Sequence, residues 1–135
     1  MPLRIELKPG ERVIIGDCAI RNGPRRSAFI VETPHKVLRE SEIVRESEAD
    51  TPAKQICVAL QRAYLLDDPF DAETQFMELA NAVMQAAPSA RPFIAAIYEK
   101  LAAGDHYRAL KAARDLVAHE SRLLALAEPV EAASA

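Results

Sequence analysis

The 135-residue sequence has no tryptophan, only four glycines and only two cysteines. Cys18 and Cys57 have neither the CxxC spacing of a metal or redox site nor the count of a disulfide framework. Both are therefore expected to be small buried or half-buried side chains. No apolar run reaches the roughly 18 residues that a membrane span requires. The start, MPLRIELK, has no apolar signal core followed by a small-residue cleavage site. These absences predict a soluble cytoplasmic protein with no membrane partner. Aromatic residues are also scarce, and Phe29 is the only one in the first 45 residues. That excludes an RNA-reading sheet of the kind that stacks bases on aromatic rings.

Catalytic patterns are missing too. His35, His106 and His119 are isolated, and there is no HExxH. His119 reads as a helix-surface residue. Gly10, Gly16 and Gly23 fit neither a phosphate-binding loop nor a dinucleotide fingerprint. Asp67, Asp68 and Asp71 cluster around Pro69 but lack the calcium-loop pattern; helix capping and a solvated turn account for them. The expectation is a protein that is not an enzyme and carries no cofactor or metal.

What the sequence does contain changes character near residue 45. LRIELKPG alternates Leu3, Ile5 and Leu7 with Arg4, Glu6 and Lys8, the period of a half-buried strand. Pro9-Gly10 supplies a turn. RVIIG, CAIR, SAFIVE and KVLRE follow as short strands, with Asn22-Gly23 predicted to form a left-handed hairpin turn and Thr33-Pro34 a break. Beyond the polar linker ESEADTP, Thr51-Pro52 opens a helix as cap and first residue. Its stripe is Ile56, Leu60 and Tyr64 with Ala59 and Ala63. A second helix is expected from Asp71 or Ala72, carrying Phe76, Leu79, Ala80, Val83 and Met84 to Pro88. Ser89 would cap a third, with Ile94, Ile97, Tyr98 and Leu101, ending at Gly104. Asp105 would cap a fourth through Leu126, with Leu110, Ala113, Val117 and Leu124 on one face.

The predicted class is thus α+β: a small antiparallel sheet or barrel over residues 1–45, then a bundle of about four helices over 51–128. Residues 129–135 read as a frayed tail. A sheet so small has exposed edges, and a two-fold homodimer is one way to cover them.

Charge follows the same division. Residues 1–45 hold nine Lys/Arg against six Asp/Glu, whereas the remainder holds eight against fourteen. Only the N-terminal part can offer a cationic surface to nucleic acid. Arginine pairs with phosphate and can also meet a guanine edge through two parallel hydrogen bonds. Arg25 and Arg26 stand out because a turn tip after NGP would present both outward. Arg4, Arg12 and Lys36 have a second reading, as charges that keep edge strands soluble.

Two segments carry a family likeness. GERVIIGD, residues 10–17, and KVLRESEI, residues 36–43, resemble the first-turn and last-strand signatures of the carbon storage regulator (CsrA) family of mRNA-binding proteins. The whole chain more closely resembles the FlbT family of flagellin-expression regulators, through MPLRIELKPGERVIIGD, NGPRR, VLRESEI and TPAKQICVALQRAYL in that order. The FlbT resemblance implies a post-transcriptional repressor that associates with the 5′ untranslated region of flagellin mRNA and promotes its decay. The CsrA resemblance implies RNA along the first and last strands, at Leu3, Ile5, Val37 and Leu38, with Lys8 and Arg39 as the matched cations. Leu7-Lys8 stands where that family has paired arginines, and Pro9 removes a backbone donor there. The candidate RNA contacts are Lys8, Arg25, Arg26 and Arg39, then Arg4, Arg12, Arg21 and Lys36. The alternative is a protein-interaction adaptor, with acidic helices that hold flagellin or another flagellar regulatory protein.

Overall fold

The computed structural model describes residues 2–33, 35–66 and 69–134, with side chains over 71–126 in the last of these. The expectations for Pro34, Asp67 and Asp68 fall outside the described residues. Five strands come first: β1 (Leu3–Leu7), β2 (Arg12–Ile15), β3 (Cys18–Arg21), β4 (Ser27–Val31) and β5 (Val37–Arg39). Four helices follow: α1 (Pro52–Leu66), α2 (Pro69–Ala86), α3 (Arg91–Ala102) and α4 (His106–Ser134). The architecture is α+β, small antiparallel sheets and then four helices. Contacts divide the chain into two compact units, residues 1–43 with 65–67, and residues 44–64 with 68–135.

In the first unit the strands form two sheets. β1 pairs antiparallel with β4, from Leu3 opposite Val31 to Leu7 opposite Ser27. The other sheet has the order β3-β2-β5. β2 faces β3 with Arg12 opposite Arg21 and Ile15 opposite Cys18, and faces β5 with Val13 opposite Arg39. Alternation puts Ile5 and Leu7 on the inner side of β1, and with Val13 they form a buried cluster. Ile15, Phe29, Val31 and Val37 pack around it.

Pro9-Gly10 turns as expected, and one predicted turn, Asn22-Gly23, does not. Gly16 takes the left-handed conformation (φ 61°) in the two-residue turn joining β2 to β3. Gly23 does not belong to the left-handed glycines, which are Gly10, Gly16 and Gly104. Asn22-Gly23 closes no hairpin, because β3 and β4 are not partners: β4 crosses to β1. Cys18 is exposed, against expectation, since β3 is an edge strand with all four residues open to solvent; Cys57 is buried.

In the second unit, Thr51 caps α1 as its sequence indicates, with Lys54 N donating to Thr51 Oγ1 at 3.3 Å. Ile56, Leu60, Phe76, Ile97, Leu110 and Leu116 are fully buried. Gln61 is the buried polar side chain here; its amide accepts from Val44 N and donates to Val44 O. Several details differ from the periodic reading. α2 starts earlier, at Pro69, a residue suited to a first helical turn. Tyr98 and Leu124 are about half exposed, and α4 buries Leu116 where the expected face had Val117, which is half-buried. Ser89 does not cap α3; its hydroxyl lies 2.9 Å from His119 Nε2, and the His119 ring stacks on Phe93 at 4.6 Å. His119 is thus a packed residue. Asp105 does cap α4, accepting from Arg108 N at 3.0 Å. The α4 helix continues to Ser134, through the stretch read as a tail.

Candidate nucleic-acid interface

The β1–β2 connection is a four-residue turn, Lys8 to Glu11. Glu11 N donates to Lys8 O at 3.0 Å, Pro9 occupies the first central position, and Gly10 the second with φ 71°. That is a type II turn, where the second central position needs a positive φ and so favours glycine. The Lys8 backbone N–H points back at Glu11 Oε1, 2.9 Å away. The missing donor of Pro9 leaves no gap in this pattern, because the turn uses the amides of Lys8, Gly10 and Glu11.

Asn22 organises the surroundings. Its Nδ2 lies 2.8 Å from Lys8 O, 2.8 Å from Arg25 O and 3.2 Å from Leu7 O, and its Oδ1 accepts from Gly23 N at 2.9 Å. One amide thereby ties the end of β1 to the loop that carries Arg25 and Arg26. Gly10 N donates to Gly23 O at 3.0 Å and reinforces the tie. Extending the β1–β4 register by one residue sets Lys8 opposite Arg26. Lys8, Arg25 and Arg26 are all exposed, so three cations separated by up to eighteen positions share one edge of the first unit.

The other candidates are distributed. Arg4 lies on the outer side of β1 and pairs with Glu6 at 3.1 Å, both side chains mostly exposed. Arg12 and Arg21 are directly opposed across β2 and β3, a like-charge pair. Arg39 ends β5 opposite Val13, and its N–H donates to Glu42 Oε1 at 3.1 Å. Because adjacent strand residues alternate, Arg39 and the Arg12–Arg21 pair lie on opposite faces of that sheet. Lys36 is half-buried before β5, where its carbonyl accepts from Gly16 N at 2.8 Å. β1 and β5, the first and last strands, belong to different sheets. They come near one another at a cleft of about 370 Å³ lined by Lys8, Pro9, Gly10, Glu11, Glu40 and Ser41. Its carboxylates beside Lys8 suit a hydrogen-bond donor better than a second phosphate.

The sequence reading missed Asn22 as an organiser and Glu11 and Glu40 as cleft residues. A signal for Asn22 existed, since asparagine side chains readily bond nearby main chain. Its partners at Leu7 and Lys8 lie fourteen or more positions away, beyond any local pattern. Among the described residues, no three His, Cys, Asp or Glu side chains are grouped to hold a metal ion.

Comparison with known proteins bears on the whole of this arrangement. The family model for the flagellar protein FlbT matches residues 3–124. The probable flagellum biosynthesis repressor protein FlbT 1 of Bradyrhizobium diazoefficiens is 39% identical over 124 residues, covering 91% of this chain and 85% of that one. The probable flagellum biosynthesis repressor protein FlbT of Rhodopseudomonas palustris is 36% identical over 124 residues, covering 92% and 98%. The flagellum biosynthesis repressor protein FlbT of Caulobacter vibrioides is 31% identical over 129 residues, covering 92% and 90%. No solved structure matches. The carbon storage regulator likeness rests on the quoted segments alone. With its strands, its Pro9-Gly10 turn and its first three helices all inside the matched span, the chain belongs to the FlbT family of flagellar proteins.

Proposed function

We propose that the protein is a post-transcriptional repressor of flagellum biogenesis, which binds the 5′ untranslated leader of flagellin mRNA through its first unit and promotes degradation of that message. The observation that carries this reading is the Asn22 clamp, which gathers exposed Lys8, Arg25 and Arg26 on one edge of an otherwise acidic protein. The repressor names of the relatives support the regulatory half. Single-stranded RNA would run its phosphates past this edge, and the Lys8–Glu11–Glu40 cleft beside it offers carboxylates to the amino group of a base. Arg39 remains the candidate for a base contact. No nuclease chemistry is assigned to the chain, so decay follows from blocked ribosome access or a recruited nuclease.

Binding to a flagellin mRNA leader tests the proposal. With about four phosphate contacts, log affinity falls against log salt with a slope near about −3. Arg25→Ala/Arg26→Ala is expected to lower that slope by roughly 1.4 while circular dichroism stays unchanged. Lys8→Ala/Arg39→Ala should weaken binding as well. No salt-dependent binding by folded wild type would sink direct recognition.

A second reading has an observation of its own. An apolar groove of about 710 Å³ lies between α2 and α3, lined by Phe76, Met77, Met84, Ile94, Arg91 and Tyr98 among others. Met77 and Tyr98 are about half exposed there. Methionine-rich grooves accept amphipathic helices, which favours an adaptor that holds flagellin or another flagellar regulatory protein. Such binding would be nearly insensitive to salt and to the β-unit substitutions.

A further inference from the structure

β3 is an edge strand, paired with β2 alone and open to solvent along Cys18, Ala19, Ile20 and Arg21. Asn22 N donates to Glu11 O, so the main chain at position 22 points toward β2. Antiparallel bonding alternates along a strand, so Ile20 and Cys18 point the same way. The N–H and C=O groups of Ala19 and Arg21 therefore face outward, without a strand partner. Edges are blunted by shortness, charged side chains, proline, a bulge or an inward charge. β3 has the first two, four residues ending in Arg21, and no proline, bulge or inward charge.

Its apolar side chains are also uncovered, although Cys18 Sγ donates to Asp17 Oδ1 at 3.8 Å. Cys18 and Ile20 lie on the face of the sheet that bears the buried Val13, yet both are exposed, Ile20 by 39%. Arg21 has the like-charged Arg12 directly opposite on β2. On its open side nothing within β3 offers a countercharge. The turn residue Asp17 lies just before the strand, four positions from Arg21.

We propose that β3 pairs antiparallel with β3 of a second copy of this chain, across a two-fold axis at Ala19. In that register Ala19 faces Ala19 of the other copy and exchanges the outward-pointing main-chain bonds. Ile20 of each copy meets Cys18 of the other, apolar against apolar on the core-bearing face. Asp17 of each comes beside Arg21 of the other, and this happens twice by symmetry. A one-residue slip would set the apolar face of one strand beside the charged face of the other. A two-residue slip would separate Asp17 from Arg21. The occupant is a second copy because the strand is complementary to itself in both charge and polarity. The product is a continuous six-stranded sheet in the order β5-β2-β3-β3-β2-β5, and it carries both copies of the Arg12–Arg21 pair. The pairing holds whether or not the RNA reading does.

The register makes the test specific. Ile20 and Cys18 of the other copy form a non-hydrogen-bonded pair, with Cα atoms about 4.5 Å apart, within disulfide range. Under mild oxidation, full-length Ile20→Cys should run as a covalent dimer on a non-reducing gel. Wild type and Ile20→Cys/Cys18→Ser should not. Ala19→Pro removes an N–H that faces outward and so spares the intrachain ladder. In sedimentation velocity wild type is expected as a dimer at micromolar concentration, and Ala19→Pro as a monomer with unchanged circular dichroism. A monomeric wild type at micromolar concentration would overturn the proposal. So would equal cross-linking in Ile20→Cys/Cys18→Ser, or a folded Ala19→Pro that remains dimeric and binds another surface.

Discussion

The two units reach order by different means. The first buries a cluster of three side chains, Ile5, Leu7 and Val13, with partly covered neighbours, and fixes its turns through hydrogen bonds to main chain. The second buries Ile56, Leu60, Phe76, Ile97, Leu110 and Leu116, and adds long-range polar ties to that packing, Gln61 to Val44, Ala53 N to Glu120 and Ser89 to His119. The excess of positive charge sits in the first and the excess of negative charge in the second. A small apolar core leaves many residues of the first unit on its surface. Those residues can be charged, but their positions must then be set by polar contacts. In the helical unit packing sets positions, and its exposed residues include the apolar Met77, Tyr98, Leu124 and Leu126.

The largest effect should come from the packed unit. Phe76→Ala removes a fully buried ring between helices, and a loss of about 3–5 kcal/mol is expected. Urea unfolding followed by the helical signal measures it. A loss below about 1 kcal/mol would mean that packing does not dominate there.

Asn22→Asp tests the polar strategy. The change is nearly isosteric, but it turns a donor facing three carbonyls into an acceptor. A destabilisation of about 1 kcal/mol is expected, from the lost donor and carboxylate–carbonyl repulsion at contacts that are exposed or half-buried. Asn22→Ala should cost less, since it removes the donor without adding repulsion. If the aspartate variant is as stable as wild type, the clamp does not hold the Lys8 and Arg25 main chains together.

This contrast also explains what could be read in advance. Period two locates β1 because Ile5 and Leu7 share one buried side, and period 3.6 locates the helices because Ile56 and Leu60 in α1, Phe76, Ala80 and Val83 in α2, and Ile94, Ile97 and Leu101 in α3 recur on the buried face of their own helix. Such periods are local. Partner choice is not: β1 finds β4 some twenty residues on. Asn22-Gly23, a good local hairpin signal, therefore points to a β3–β4 pairing that the fold does not make. The same limit hid the candidate site. Lys8, Arg25 and Arg26 were each visible as cations, but their gathering depends on the long-range clamp at Asn22. Cys18 was misjudged because free cysteines are usually buried, and no local signal marks β3 as an edge.

The smallest effect separates the two thiols. Burial pushes the Cys57 thiol from 9.0 up to about 12, with Glu120 adding to the rise and Arg114 opposing it. Cys18 is exposed. At neutral pH Cys57 should hold about a thousandfold less thiolate than an ordinary cysteine, so an alkylating reagent should modify Cys18 first. Because the folded-state value is raised, its contribution to stability is complete below about pH 9 and is lost as pH climbs toward about 12. Cys57→Ala should flatten that alkaline decline. Equal labelling of both thiols in the native protein would contradict the burial of α1.

The β1–β4 pairing also sets a schedule for synthesis. The ribosome delivers Leu3–Leu7 first, yet its partner, Ser27–Val31, emerges about twenty residues later. β2 likewise waits for Val37–Arg39 on one side, and only its hairpin with β3 can close at once. Until residue 39 has left the exit tunnel, Ile5, Leu7 and Val13 have no complete shelter. The nascent chain therefore carries β1 uncovered until β4 emerges, and a pause with residue 20 just outside the exit tunnel would favour aggregation more than one that exposes part of a helix, whose main-chain contacts close within a few residues.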